Sequence, residues 1–303
     1  MATSIDFNER TSEPPHLRVG TRLRELWVFR EIFVNLVRKD LKVKYAASVL
    51  GTVWSLLNPV VFLLVFSFVS KLLGGAAEDY PVFLLSGLLA WNLFSGALSG
   101  GAQVCVGNAN LIKKVYFPRE ILPLSVIGVA VVDLLLQSAV FFLFILIRPL
   151  FIDNAAGFAL EFVWLYPLSI VALLLFTTAV TLWVSALNVR YRDIEHLLGL
   201  LLLVWFWMTP IVYATGVAHA AFIDKYDHGV FFWRIYQLNP MTWVVSGLQR
   251  ALYHHGDAVS VLTPPSDGAL ILGLSVVILA STALLYLTWR TFFALSGDFA
   301  EEL

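Results

Sequence analysis

Residues 121–147 read ILPLSVIGVAVVDLLLQSAVFFLFILI, a run of 27 positions with one charged side chain, Asp133. A bilayer core about 30 Å thick is crossed by about 20 apolar residues of α-helix. The run is long enough for such a crossing. This stretch predicts a membrane-spanning helix, and with it an integral membrane protein.

Runs of the same kind lie on both sides of it. They are uncharged and 21 to 26 residues long. They are Val49–Ser70, Val82–Val106, Phe162–Leu187, Leu197–Val217 and Gly268–Trp289. The predicted fold is an all-α integral membrane protein with six transmembrane helices.

Composition supports this class of protein. The chain has 303 residues, of which 59% are hydrophobic and 14% charged, and its mean hydropathy is +0.81. Soluble domains are about 25% charged. The composition excludes a soluble enzyme, a secreted disulfide scaffold and a disordered chain. The single cysteine, Cys105, has no partner for a disulfide or a CxxC pair, and no metal ligands are predicted.

The basic residues predict the orientation. Fifteen of the 20 Lys and Arg residues precede the first predicted span, lie in the second and fourth connections, or follow the last span. Because basic residues concentrate on the cytoplasmic side, we expect both termini in the cytoplasm. The expected location is the plasma (inner) membrane, with several membrane passes.

Three segments are predicted along the chain. Residues 1–29 form a polar N-terminal segment, residues 30–45 an amphipathic interface helix, and residues 46–303 the six-span domain. The interface helix carries an apolar stripe through Ile32, Leu36 and Tyr45, and its basic residues lie mostly off the stripe. Those basic residues are Arg38, Lys39, Lys42 and Lys44. Such a helix is expected at the lipid surface, either as an anchor alone or with its polar face against a cytoplasmic partner.

The connection between the second and third predicted spans carries the most distinctive cytoplasmic residues. Asn108 and Asn110 can cap a short helix, which Pro118 would end. The side chains expected to be exposed or charged there are Lys113, Lys114, Val115, Tyr116, Phe117 and Arg119. This knob either inserts into a groove on another protein or forms a basic turn with its aromatic rings among lipid headgroups. In the fourth connection, Arg192 and Asp193 could pair with a partner or with each other.

Asp133 is the only acidic residue inside a predicted span. A charge there costs at least a few kcal/mol, so Asp133 should face the bundle interior or be protonated. Gln137 lies on the same helix face and could share a hydrogen bond with it. The pair either lines a polar channel or dimer interface, or packs as a neutral group. One such acid is too few for a typical ion-coupled transporter.

Aromatic residues cluster in the fifth predicted span, near the helix-breaking Pro210. Trp205, Phe206, Trp207 and Tyr213 are candidates for a channel wall, because flat aromatic surfaces suit the C–H faces of sugars. Lipid-facing or dimer packing is the alternative.

A long external loop follows, from about Val217 to Asp267. It contains a predicted helix with Asn239 as N-cap and Pro240 at its first position, and with Trp243 and Arg250 further along. Its thirteen residues reach about 20 Å, less than the membrane thickness. A re-entrant or external gate helix between spans five and six is therefore expected.

The chain contains no Gly-x-x-x-x-Gly-Lys-Ser/Thr sequence, the loop that binds nucleotide phosphates. No catalytic residues and no cofactor are predicted on this chain, and nucleic acid is not an expected partner. ATP and Mg²⁺ would be bound by another polypeptide.

Four segments together closely resemble the membrane subunits of ABC-2 polysaccharide exporters. They are residues 38–59, 108–123, 188–194 and 209–213. The resemblance implies a homodimer with two copies of an ABC nucleotide-binding subunit. It also implies that residues 30–45 are the interface helix, that Asn110–Arg119 is the coupling helix seated in the ATPase, and that Arg190–Glu195 lies near that subunit.

The expected function is that of a permease subunit that moves a lipid-linked polysaccharide out of the cytoplasm, in contact with membrane lipids. Residues 295–303 are similar to the actinobacterial branch, which implies cell-wall galactan. Teichoic acid, O-antigen or another lipid or drug substrate is the alternative. A membrane glycosyl- or acyltransferase is a remote alternative, since no acid or His cluster stands at the membrane surface.

Overall fold

The computed structural model describes residues 19–46, the single positions 60, 61, 64, 65 and 68, and residues 80–147, 162–225, 227–252 and 266–303. Most of the first predicted span, Val49–Ser70, lies outside the described residues. The regular elements within them are all helices. The helices are α1 (Val19–Val28), α2 (Arg30–Ala46), α3 (Tyr80–Gly107), α4 (Ala109–Lys114), α5 (Ile121–Ile147), α6 (Leu165–Arg190), α7 (Ile194–Trp207), α8 (Thr215–Lys225), α9 (Gly229–Gln237), α10 (Pro240–Leu252), α11 (Asp267–Ser296) and α12 (Phe299–Glu302).

Four described helices, α3, α5, α6 and α11, are long and apolar enough to cross a membrane. They correspond to the second, third, fourth and sixth predicted spans. Helix α5 has the predicted bounds. Helices α3 and α11 extend beyond the predicted spans at both ends, and α6 is shifted by three residues toward the C-terminus.

The fifth predicted span, Leu197–Val217, is not one continuous helix. Helix α7 ends at Trp207 after 14 residues, about 21 Å of helix, and the chain turns before α8 begins at Thr215. Pro210 lacks a backbone N–H and cannot continue the ladder of hydrogen bonds. The Thr209 hydroxyl instead donates to the carbonyl of Trp205 at 2.8 Å. A turn with polar side chains therefore replaces the C-terminal part of the predicted span.

Helices α3 and α6 form the centre of the bundle. In their most apolar stretches, 72% and 56% of the residues are buried, against 33% for α5 and 28% for α11. Gly101 permits the close approach of α3 and α6, because a Cβ atom at this position would lie 2.3 Å from the Thr181 side chain. Gly96, five residues earlier on α3, has open space at the Cβ position.

The N-terminal segment contains a helix that the sequence did not predict. The sequence indicated only a polar segment over residues 1–29, and within it Val19–Val28 form α1. Leu26 and Phe29 pack against a buried cluster at the end of the bundle that carries α4. This contact gives α1 a packed face, which explains why a short helix is stable here.

Candidate functional site

The connection between α3 and α5 contains the predicted short helix, α4, over Ala109–Lys114. Asn108 does not cap it through its side chain; its amide instead donates to the carbonyl of Val104 at 2.8 Å, at the end of α3. Asn110, Lys113 and Lys114 are exposed. The backbone then becomes extended at Val115.

Two apolar side chains after α4 point outward. Val115 is 46% exposed and Tyr116 is 82% exposed. With Lys113 and Lys114 they form a protruding surface, called here the α4 knob. An exposed apolar and aromatic pair beside two lysines is a candidate contact surface for another molecule.

The sequence predicted that Phe117 is part of this exposed surface, and that prediction is wrong. It is only 5% exposed and lies in the cluster that also contains Ile112, Phe292 and Phe299. Pro118 follows it, and the chain turns there into α5. Because the ring fills a site between α4 and the C-terminal helices, it anchors the α4 knob to the bundle.

An ion-pair cluster, missed by the sequence analysis, lies next to the α4 knob. Glu120, 1% exposed, accepts hydrogen bonds from Arg22 Nε and Nη2, both at 2.8 Å. Trp289 Nε1 donates to the same carboxylate at 3.2 Å. Burial lowers the pKa of Arg22, but Glu120 and then Glu25 raise it more, so the net pKa is above the usual value. The carboxylate thus joins α1, the α4–α5 connection and α11.

Arg119 precedes Glu120 in the same connection. Its guanidinium lies 5.9 Å from the ring centre of Phe299 in α12. Burial is the largest cause of a lowered pKa for Arg119. Both termini of the described chain, α1 and α12, therefore contact the segment that carries the α4 knob.

The α6–α7 connection holds the second predicted pair. Arg192 and Asp193 are both exposed. Nearby, the buried Asn188 donates to the carbonyl of Ala102 at 2.8 Å and accepts from the Glu195 N–H at 3.2 Å. Asn188 therefore fixes the start of α7 against α3.

The predicted interface helix matches α2 in extent. Its four basic residues, Arg38, Lys39, Lys42 and Lys44, are exposed. Its apolar stripe packs on α5, where a Cβ at Gly128 would lie 2.9 Å from Val37 and 3.0 Å from Phe33. The stripe is thus covered by protein over at least this stretch.

Asp133 and Gln137 have separate partners, although the sequence analysis considered a hydrogen bond between them. Asp133 pairs with Lys44 Nζ at 2.6 Å and accepts from the Tyr45 hydroxyl, both at the end of α2. Gln137 accepts from Asn92 of α3 at 2.8 Å. The acid is neutralised by an opposite charge from another segment.

The aromatic residues of the fifth predicted span point in different directions. The Trp205 ring is centred 5.0 Å from Phe94 and 6.0 Å from Phe176 inside the bundle, and Phe206 is buried at 7% exposure. Trp207 is 53% exposed. Tyr213 donates from its hydroxyl to the carbonyl of Trp207 at 2.9 Å. These rings do not form a single wall within one subunit.

The helix predicted to follow Asn239 begins at Pro240, as expected, and is α10. Asn239 Oδ1 accepts from the Met241 N–H at 3.1 Å and from Trp205 Nε1 at 2.9 Å. Its amide nitrogen donates to the Met208 carbonyl at 3.3 Å and to the Thr209 hydroxyl at 3.2 Å. One side chain therefore caps α10 and supplies partners to the break after α7.

The remainder of α10 is held firmly in the bundle. Trp243 covers Gly273 of α11, where a Cβ would come within 2.1 Å of the indole, and it donates to the Gln237 carbonyl at 2.8 Å. Arg250 pairs with Asp267 at 2.9 Å and lies over the Phe162 ring. Within the described part of the chain, no group of three His, Cys, Asp or Glu is placed to hold a metal ion.

Four membrane-length helices, a polar break after a short apolar helix and a protruding basic-aromatic knob define a polytopic helical membrane protein. The chain belongs to the ABC-2 type transporter family, whose model matches residues 31–253. The matched region begins in α2, includes the α4 knob and ends after α10.

Curated relatives agree with this assignment. The O-antigen export system permease protein RfbA of Myxococcus xanthus is 30% identical over 237 residues, 77% of this chain and 84% of that protein. Two proteins of the same name from Klebsiella pneumoniae are 34% identical over 188 residues and 31% identical over 191 residues. Each of those matches covers 62% of this chain and 70% of the relative.

Proposed function

We propose that this chain is the permease subunit of an ATP-driven exporter that moves a lipid-linked polysaccharide from the cytoplasm across the plasma membrane. The observation that carries the proposal is the family match over residues 31–253, together with relatives named as O-antigen export permeases. The permease would perform no covalent chemistry and would provide the path.

ATP hydrolysis would come from two copies of an ABC nucleotide-binding subunit bound to a homodimer of this chain. The α4 knob supports this part of the proposal, because Lys113, Lys114 and Tyr116 protrude while Phe117 is anchored in the bundle. The contact between the α4 knob and the ATPase can transmit motion only if it differs between two states of the complex. A rigidly anchored knob would pass a movement of the partner to α5 and, through the Glu120 carboxylate, to α1 and α11.

The orientation follows the distribution of charge. The α4 knob, the basic residues of α2 and the Arg192–Asp193 turn would face the cytoplasm, as would both termini. Arg192 and Asp193 are exposed for a second contact with the ATPase. The α8–α10 segment would then lie at the outer side, where α10 would act as a gate helix.

The proposed substrate is a cell-wall galactan on its lipid carrier. It rests on the similarity of residues 295–303 to the actinobacterial branch of the family. The relatives' names favour O-antigen instead, which is the second candidate.

The proposal can be tested by coexpression and by depletion. An affinity-tagged permease should copurify with the ATP-binding subunit encoded beside it. Depletion of the permease in its host should cause a lipid-linked glycan to accumulate on the cytoplasmic face, and sugar analysis would separate galactan from O-antigen. An unchanged level of lipid-linked glycan after depletion would refute export.

A further inference from the structure

A groove opens between α7 and α11, and α6 and Leu98 of α3 also line it. It encloses about 630 Å³, within the range of about 300–1,000 Å³ that is typical of pockets for small ligands. Helices α7 and α11, both described over their whole lengths, each contact α6 but are not packed extensively against one another. The space between them is called here the α7–α11 groove.

The walls of the α7–α11 groove are apolar. The lining side chains are aliphatic or aromatic except for Thr288 and Thr291. The Thr288 hydroxyl donates to the carbonyl of Leu285 at 3.2 Å, and the Thr291 hydroxyl donates to the carbonyl of Thr288 at 2.8 Å. Both hydroxyl hydrogens are therefore used within α11. Because burial of an unpaired polar group is costly, an occupant without polar groups, such as an acyl chain, fits this lining.

The α7–α11 groove has the depth of one lipid leaflet. Its α6 wall runs from Phe176 to Leu187, and its α7 wall runs from Ile194 to Trp205. Each wall is about 16 Å of helix, which is about half of a hydrocarbon core about 30 Å thick. Leu187 lies one turn before the end of α6 at Arg190, on the side proposed to face the cytoplasm. The groove therefore belongs to the cytoplasmic half of the membrane.

Cations lie at the cytoplasmic mouth of the groove. Arg190 is exposed and follows the lining residue Trp183 by seven positions, about two helical turns, so both lie on the same face of α6. Arg290 of α11 is exposed as well and is adjacent to the lining residue Thr291. The planar guanidinium group of arginine binds phosphate through paired N–H donors. The mouth can therefore hold the phosphate of a lipid headgroup.

The acidic residues near the mouth do not cancel this charge. In the α6–α7 connection, Arg190 and Arg192 stand against Asp193 alone. The next acid, Glu195, accepts a hydrogen bond from Gln103 of α3 at 2.6 Å, so its carboxylate is turned toward α3. The mouth thus keeps a net positive charge, which attracts an anionic headgroup.

We propose that the α7–α11 groove binds an anionic glycerophospholipid of the cytoplasmic leaflet, with an acyl chain between α7 and α11 and the phosphate beside Arg190 and Arg290. This inference goes beyond the export function and rests on the orientation proposed above. Basic pockets between membrane helices on the cytoplasmic side bind anionic headgroups. A glycan on its carrier does not fit, because the apolar walls leave sugar hydroxyls without partners. The bound lipid would fill the gap beside α7 and hold this helix in position.

Native mass spectrometry of the permease–ATPase complex, supplied with phosphatidylglycerol or phosphatidylcholine, tests the site. The wild-type complex should retain phosphatidylglycerol in preference to phosphatidylcholine. Leu287→Trp places an indole in the groove and should remove most of the retained lipid. Leu279→Trp is the matched control, because Leu279 is also exposed on α11 but does not line the groove. Equal retention by these two variants would overturn the proposal.

A second pair of variants tests the mouth without altering the groove. Arg190→Gln combined with Arg290→Gln should lower the preference for phosphatidylglycerol about tenfold, the factor expected from the loss of one hydrogen bond to a charged group. Arg234→Gln is the control, because Arg234 is exposed on α9, at the side proposed to be external. An unchanged preference in the double variant, or an equal change in the control, would contradict headgroup binding at this mouth.

Photo-crosslinking in cells identifies the natural occupant. Leu201, which lines the groove and is 51% exposed, is replaced by p-benzoylphenylalanine, and Leu279 is replaced in the same way as the control. The Leu201 adducts should be enriched in anionic phospholipid relative to the Leu279 adducts. A polyprenyl carrier, a band of twice the chain mass from a second copy, or the same lipid composition at both positions would overturn the proposal. Each of these results leaves the export function standing, since depletion of the permease tests that function separately.

Discussion

Arg22→Met should strongly destabilise the cytoplasmic end of the bundle. The substitution keeps most of the apolar length of the side chain but removes the bidentate bonds to Glu120. The Glu120 side chain is 1% exposed, and of the hydrogen bonds described above only the one from the Trp289 indole would remain. An acidic group would thus be buried without its cation.

The expected loss is large for a single substitution. Removal of one partner from a buried ion pair costs about 3–5 kcal/mol, and the 15% exposure of the Arg22 side chain places the loss near the lower value. Glu120→Gln should cost less, about 1–2 kcal/mol, because Arg22 keeps Glu25 at 2.5 Å. In the double variant the uncompensated charge is gone, so its loss should be smaller than the sum of the two single losses.

The measurement is the heat stability of the detergent-solubilised complex, read from the monodisperse fraction after heating. Arg24→Met is the matched control, since Arg24 is exposed on the same helix. Two results would contradict the buried ion pair: a heat stability of Arg22→Met equal to that of Arg24→Met, or a loss in the double variant equal to the sum of the losses from Arg22→Met and Glu120→Gln.

Three further outcomes follow from the site. Lys113→Glu with Lys114→Glu should weaken copurification of the ATPase while the permease remains heat-stable, and unchanged copurification would remove the α4 knob from the interface. Phe117→Ala should lower the free energy of unfolding by about 3–5 kcal/mol, because the ring is buried, and heating of the purified protein should show this loss. A variant with full heat stability that no longer binds the ATPase would instead place Phe117 in the contact with the ATPase. Asn239→Ala should release the break after α7 and speed proteolysis there relative to wild type, and an unchanged cleavage rate would contradict its role as a shared cap.

Several elements of the fold were predictable because their signals are local. An apolar run of membrane length predicts a spanning helix wherever it packs, which explains the agreement at α5. An Asn followed by Pro marks a helix start by backbone chemistry alone, and α10 begins at Pro240. The amphipathic stripe of α2 likewise follows from its periodicity.

The failures concern contacts between distant segments. Phe117 is adjacent in sequence to the exposed Tyr116, and only the packing of the C-terminal helices against α4 buries it. The fifth predicted span is interrupted for another reason. Its mean hydropathy over about 20 residues hides the effect of Pro210 and of the polar side chains that stabilise the break.

The amino-acid sequence alone is enough to identify a multi-pass helical membrane protein of the ABC-2 type, with basic residues concentrated on one side. The pairing of Arg22 with Glu120, 98 positions apart, and of Lys44 with Asp133, 89 positions apart, is visible only once the helices are packed. Hydrophobicity and backbone chemistry act along the chain, whereas the partner of each charge depends on which helices pack together.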